Sequence, residues 1–288
     1  MGAMAKEGVV AFSDDGHYVE NSDFMRKAME YASMFHKIII DHCEDDNLIE
    51  GGNMHEGVVS NELGMKGRPA VAEDIAVARD IFLAEATGTP VHIAHISTKN
   101  AVDLVRQAKK RGVQVTAEVT PQHLIFTDEA LRTFETRYKM NPPIRSDIHR
   151  DACVEGLKDG TIDAVVTDHA WEEKDQEFNL APSGFVGLET SVGAMLTHLY
   201  HTGIIDLMSL VNVMSTAQAK ILNLDAGVIA PGKDADLTFL DLDKEWTVDS
   251  SKFYSKGKST PFDEMIFKGK AAATIVNGKF VMKNGEVL

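Results

Sequence analysis

The chain has 288 residues, a net charge of -15 and a hydrophobic fraction of 44%. That length allows one large domain or one domain with an appendage, and the acidic balance, with no basic stripe, speaks against a nucleic-acid partner. Two cysteines, Cys43 and Cys153, make no disulfide framework and fit a reducing cytoplasm, while no apolar run approaches a membrane span and no secretory signal is visible at the amino terminus.

In chain order, Val9-Val10-Ala11-Phe12-Ser13 is a short apolar run that enters Asp14-Asp15-Gly16. Asn21, Ser22 and Asp23 are cap candidates for a helix spaced by Phe24, Met25, Ala28, Met29 and Ala32. A strand over 37–41 runs into His42, and residues 46–66 look loop-like, with Gly51-Gly52 and Gly57. Arg68-Pro69-Ala70 opens a long helix to about residue 87, with Ile75, Val77, Ala78, Ile81, Phe82 and Ala84 at helical period. A strand over 91–95 ends in His95, and Ser97-Thr98 caps a helix over 100–111. A strand over 113–119, helical segments at 127–135 and 147–158, and a strand over 162–167 follow, the last running into Asp168-His169. The alternation predicts an α/β protein with parallel strands. Helices are expected at roughly 187–203 and 206–222. From Gly227 on the pattern is β, with strands at 236–240, 246–248, 273–276 and 280–282 and hairpin dipeptides Asn277-Gly278 and Asn284-Gly285. A boundary near residue 225 divides the chain into 1–225 and a small β unit over 226–288.

The chemistry sits at strand ends. Buried parallel strands end at the mouth of a (β/α) barrel, where sites are built. Asp15, His42, His95 and Asp168 each follow an apolar run, and carboxylate oxygens and imidazole nitrogens are zinc donors. The bland alternative for a single such acid is a helix cap; recurrence at four strand ends argues against it. Alternation points His92 away from His95 and into the core. His36 and His149 read as surface residues and His17 as solvated. His169 either supports the site or packs. Cys43 reads as structural, and Glu44-Asp45-Asp46 as a solvated acidic turn.

These residues also resemble a known family. Phe12-Ser13-Asp14-Asp15-Gly16, His42-Cys43-Glu44-Asp45, His92-Ile93-Ala94-His95-Ile96-Ser97-Thr98, Thr120-Pro121-Gln122-His123, Lys139-Met140-Asn141-Pro142-Pro143-Ile144-Arg145, Thr167-Asp168-His169-Ala170 and Gly184-Phe185-Val186-Gly187-Leu188-Glu189-Thr190 are similar to the amidohydrolase superfamily and, within it, the type I dihydroorotases. Gly227 to Leu237 is similar to the entry into that family's small β domain. The resemblance implies a distorted (β/α)8 TIM barrel, with strands four to eight present, and a β-sandwich-like side domain. It implies a metal-dependent cyclic amide hydrolase that interconverts dihydroorotate and N-carbamoyl-L-aspartate in pyrimidine biosynthesis. Asp15 would be a metal-binding or bridging carboxylate, and His42 and His95 would bind the second metal. Asp168 would bind the first metal and carry the proton, while Asn141 and the backbone near Gly184 would contact the substrate ring. A complete site of this kind holds two Zn2+ ions. The implied partners are the small-molecule substrate and, in assemblies, a second copy or aspartate transcarbamoylase; the implied location is the cytoplasm.

The sequence departs from the family at several points. No His-x-His with its neighbouring arginine precedes Asp15, so three barrel strands and half of the side domain are expected to be missing. Zinc is then expected at one ion or fewer, and activity of this chain alone near background. Ala170 is followed by Trp171-Glu172-Glu173-Lys174 where the family has Pro-His, Asp41 stands where a small residue is usual, and Gln122 replaces a histidine. The alternatives carried are a non-catalytic homologue serving as a structural partner of aspartate transcarbamoylase, and another cyclic amidohydrolase such as an allantoinase.

Overall fold

The computed structural model describes residues 1–170 and 175–288. Five strands form one parallel sheet: β1 (Ala11–Ser13), β2 (Ile38–Asp41), β3 (Val91–Ile93), β4 (Val115–Val119) and β5 (Ala164–Val165). Their order in the sheet is their order in the chain. Sequential order is that of a singly wound barrel; a doubly wound sheet reverses direction at a switch point. Pairings such as Ser13↔Ile40, Asp41↔Ile93 and Ile93↔Ala117 bring the carboxyl ends of β1 to β4 to one level. Among the described residues β1 and β5 each have one strand neighbour, so the sheet is open where a closed barrel has eight strands.

The connecting helices cover one face. They are α1 (Ser22–Ser33), α2 (Val71–Thr87), α3 (Lys99–Lys110) and α4 (Asp147–Lys158). The Asn21 side chain accepts from Phe24 N–H at 2.9 Å and Thr98 Oγ1 accepts from Ala101 N–H at 3.3 Å, which satisfies donors that a helix start leaves free. Phe12, Ile39, Ile93, Ala117 and Val165 of the sheet pack on Met25, Met29, Ile81, Val105 and Leu157 of the helices. On α2 the pattern departs from expectation. Ala76, Val77, Ile81 and Ala84 are buried, whereas Ile75 and Phe82 are exposed and Glu73 and Asp80 are buried in their stead.

The last part is an antiparallel sheet of β6 (Leu237–Thr247), β7 (Ile266–Val276), β8 (Lys279–Lys283) and β9 (Glu286–Val287). The two hairpin dipeptides join β7 to β8 and β8 to β9. The strands expected at 236–240 and 246–248 are one strand, whose charged middle is a break in register between Asp241 and Glu245. The sheet approaches the helix Ser191–Met195 at Gly193, where a Cβ would stand 2.7 Å from the Phe267 ring and 2.9 Å from Trp246. Two further expectations change. A short helix, Gly2–Lys6, precedes β1, and the loop-like stretch contains the helices Asp46–Ile49 and Val58–Leu63. Among the described residues no helix is long and apolar enough to cross a membrane.

Candidate metal centre

The ends of β1, β2 and β3 deliver three donors to one point. His42 Nδ1 lies 2.9 Å from His95 Nε2. Asp15 Oδ1 lies 3.4 Å from His95 Nε2 and 3.7 Å from His42 Nδ1. Donors about 2.0–2.1 Å from a tetrahedral zinc are separated from each other by about 3.3 Å, so this triangle has the size of one face of such a site. One oxygen and two nitrogens are also the donor chemistry zinc takes. Both imidazoles are buried and Asp15 is exposed, so the group is reached from solvent through the carboxylate.

Asp168 lies outside the group of donors that all stand within 4.8 Å of one another. It lines the same cavity, of about 240 Å3, with Asp15, His42, His95, Asn141 and Gly184. Asp168 and His95 have φ of 49° and 30°, a conformation that residues other than glycine rarely adopt and that collects at functional sites.

The charges answer one another. Burial alone would lower the His95 pKa, but its hydrogen bond to Asp15 and the nearby Asp168 charge raise it to about 9. The same hydrogen bond lowers Asp15, against the effect of its burial. Burial raises the Asp168 carboxyl, with Asp15 adding to the shift and His95 opposing it.

Glu44, expected in a solvated turn, is 2% exposed. Its Oε2 accepts from Arg68 Nη1 at 3.0 Å and lies 3.4 Å from His42 Nε2. Asn141 joins the same network: its Oδ1 accepts from Arg68 Nη1 at 2.6 Å, and its Nδ2 is 3.1 Å from His42 Nε2. Asn141 therefore reaches the cavity while already engaged with a candidate ligand. Gly184 has φ of 107°, and a Cβ there would stand 2.6 Å from the Ala170 Cβ, so that wall of the cavity requires glycine.

Other histidines separate clearly. His92 is a core residue, with Nδ1 2.7 Å from Thr116 Oγ1 and Nε2 2.8 Å from Glu118 Oε2. His169 supports the cavity wall: Nδ1 accepts from Gly187 N–H at 3.2 Å. His149, expected at the surface, stacks edge-on against buried His55 at 5.1 Å between centroids and accepts the Lys99 N–H at 3.0 Å. The stretch Trp171-Glu172-Glu173-Lys174 lies outside the described residues.

A second close group is Asp41, Cys43 and Asp80, all buried. Cys43 Sγ donates toward Asp80 Oδ2 at 3.5 Å and Asp41 Oδ2 at 3.6 Å, which agrees with a structural thiol. Arg79 Nη2 pairs with both carboxylates, at 2.6 Å from Asp80 Oδ1 and 3.3 Å from Asp41 Oδ2. Burial, with Asp80 beside it, pushes the Asp41 carboxyl up to about 9.

The model of the amidohydrolase family matches residues 1–281. The chain belongs to the amidohydrolase family. It is 52% identical over 287 residues to a dihydroorotase of Pelotomaculum thermopropionicum, covering 99% of this chain and 67% of that protein. It is 50% identical over 283 residues to a dihydroorotase of Syntrophus aciditrophicus, covering 97% of this chain and 66% of that protein. The chain thus spans about two thirds of the length of these relatives. Among solved structures, an L-hydantoinase of Arthrobacter aurescens superimposes with a TM-score of 0.88 at 29% identity, over 99% of this chain and 67% of that one. A dihydropyrimidinase of Brevibacillus agri, with a TM-score of 0.86 at 22% identity over 100% of this chain and 66% of that one, shares the fold. The open parallel sheet is part of an amidohydrolase barrel, and the family is metal-dependent.

Proposed function

We propose that this chain serves a dihydroorotase, the zinc-dependent reversible opening of the dihydroorotate ring to N-carbamoyl-L-aspartate. The observation that carries the reading is the convergence of Asp15 Oδ1, His42 Nδ1 and His95 Nε2 on one point, in a cavity that Asp168 also lines. Relatives about half identical in sequence and named dihydroorotase support the same substrate.

In this reading Asp15, His42 and His95 hold one zinc. A zinc ion bound there supplies Lewis acidity, lowering the pKa of water and polarising the ring carbonyl. Glu44 and Asn141 both meet His42 at Nε2, which holds the ring with Nδ1 turned toward the cluster. Asn141 and the backbone at Gly184 orient the ring. Asp168 accepts the proton of the attacking water and returns it to the departing ring nitrogen; its raised pKa suits a group that must hold a proton and release it.

The test has two parts, zinc binding by this chain and turnover by the chain completed with the strands that close the barrel. Zinc titration of the chain should give about one ion, lost in His42→Ala and His95→Ala. Dihydroorotate hydrolysis, followed by absorbance, should fall in Asp168→Asn. A wild-type protein that binds no zinc, or turnover indifferent to Asp168→Asn, overturns the assignment.

A further inference from the structure

We infer that Arg79 is a positioning residue that locks the loop carrying Asp15 to the strand end carrying His42, and so sets the spacing of the candidate metal donors. The inference rests on the zinc reading above.

Asp15 needs such a device. Its loop leaves β1 exposed over residues 13–17, and within it the Asp15 N–H donates to Ser13 Oγ at 3.1 Å. The next residues, Tyr18 and Val19, meet the body of the protein at Arg79. The Arg79 guanidinium lies over the Tyr18 ring at 4.1 Å from its centroid, and Nη1 donates to the Val19 carbonyl. The same guanidinium donates through Nη2 to Asp41 Oδ2 at 3.3 Å, and Asp41 is the residue before His42. Nε donates to Asp80 Oδ1 at 2.7 Å, which fixes the fork on α2. One side chain therefore ties three elements: the β1 loop, the end of β2 and helix α2.

Only an arginine does this. Its planar fork presents several N–H donors in fixed directions and stacks on an aromatic face, whereas a lysine ammonium is a compact point charge on a flexible stem. Lysine at this position can still neutralise Asp41 and Asp80. It cannot also hold the Val19 carbonyl and cover Tyr18. Arg79→Lys thus separates neutralising the buried acids from fixing the loop.

The experiment measures Zn2+ affinity by chelator competition and Co2+ absorption as a report on donor geometry. Arg79→Lys should keep its circular dichroism and weaken Zn2+ binding by about 10–100-fold, the usual effect of losing a group that orients ligands. Its Co2+ bands should change. Tyr18→Ala should weaken binding in the same direction and Tyr18→Phe should restore it, since only the ring face is used; this pair decides the matter if Arg79→Lys does not fold. Val105→Ala, on the buried face of α3, serves as the control for lost stability. Unchanged Zn2+ affinity in folded Arg79→Lys, or an equal loss in Val105→Ala, overturns the inference. A wild-type protein that binds neither Zn2+ nor Co2+ overturns the metal reading instead.

Discussion

Two groups of donors stand back to back at the end of β2, and they differ in their counter-charge. Asp15, His42 and His95 lie on one side, Asp41, Cys43 and Asp80 on the other, each set within 4.8 Å. Neighbouring residues of an extended strand face opposite ways, so His42 and the pair Asp41 and Cys43 part company. The second group is sealed, with Asp41 2% and Asp80 0% exposed, and Arg79 supplies the cation it needs. The first opens onto a cavity, and among the described residues no lysine or arginine pairs with its carboxylate. Proximity of donors is common to both. An accessible cavity and a counter-charge that comes only from protonated His95, which a metal ion would replace, distinguish the one that suits a metal ion.

The comparison breaks most visibly in turnover. In the protein carrying this chain, Asp168→Asn should lower kcat by about 10²–10⁴-fold, the range for loss of a general acid or base, while Cys43→Ala should leave kcat within the same order as wild type. Comparable losses in both would place the sealed group in the chemistry.

Stability should divide the groups the other way. Arg79→Met leaves the buried acid pair Asp41 and Asp80 without its cation and should cost about 3–5 kcal/mol in denaturant titration, as breaking a buried pair does. Asp15→Asn removes a partly exposed pair with His95 and should cost the metal-free protein no more than about 1 kcal/mol. A metal then restores symmetry of scale. Zinc at about a hundredfold above its Kd should stabilise the folded chain by about 2.7 kcal/mol. Cys43→Ala should keep that increment and His95→Ala should lose it. An increment that survives His95→Ala would move the zinc elsewhere.

How much of this could be read from the sequence follows from where each interaction lies along the chain. That Asp15, His42, His95 and Asp168 meet at one cavity was legible because each interrupts an apolar strand, a local signal repeated at four places, and because the surrounding words resemble a family. The parallel strands were legible for the same reason. Glu44 was misread because its burial depends on Arg68 and on Asn141, which reach it from distant parts of the chain. Arg79 was invisible: its partners Val19 and Asp41 are 60 and 38 residues away. On α2 the apolar periodicity pointed to Ile75 and Phe82, yet the helix buries Glu73. There its carboxylate caps the turn after His95, accepting from Ser97 N–H at 2.7 Å and Thr98 N–H at 3.0 Å. Periodicity reports apolar faces and is blind to a face that buries paired acids.

The smallest effect sharpens the comparison with a third setting, in which imidazoles face a cation in place of carboxylates. Beside Asp15 and Asp168, His95 is raised to about 9. His55 lies 3.5 Å from Arg145 Nη1, and burial, reinforced by that charge and by His149, lowers it to about 3. Burial and Arg145 likewise lower His149 to about 4. These rings stay neutral in the folded chain at pH values where an unfolded histidine, with a pKa of about 6.5, takes up a proton. Unfolding therefore binds protons below that pH, and the stability contributed by His55 and His149 is present above about 6.5 and is lost as pH falls. Between about pH 6.5 and 5 carboxylates with ordinary pKa values near 4 contribute little to the slope, while Asp41, pushed up to about 9, opposes the histidines by up to one proton in wild type and variant alike. His95 works in the opposite sense at higher pH, where its contribution is lost as pH rises through about 9. Denaturant titrations across the lower window should show stability falling with acid, by up to about 1.4 kcal/mol per pH unit for each histidine that titrates fully. His55→Asn removes one titrating ring and should flatten that slope by up to one histidine's share. Equal slopes for wild type and His55→Asn would mean that His55 is already protonated in the folded chain, or that the neighbouring guanidinium is screened from it.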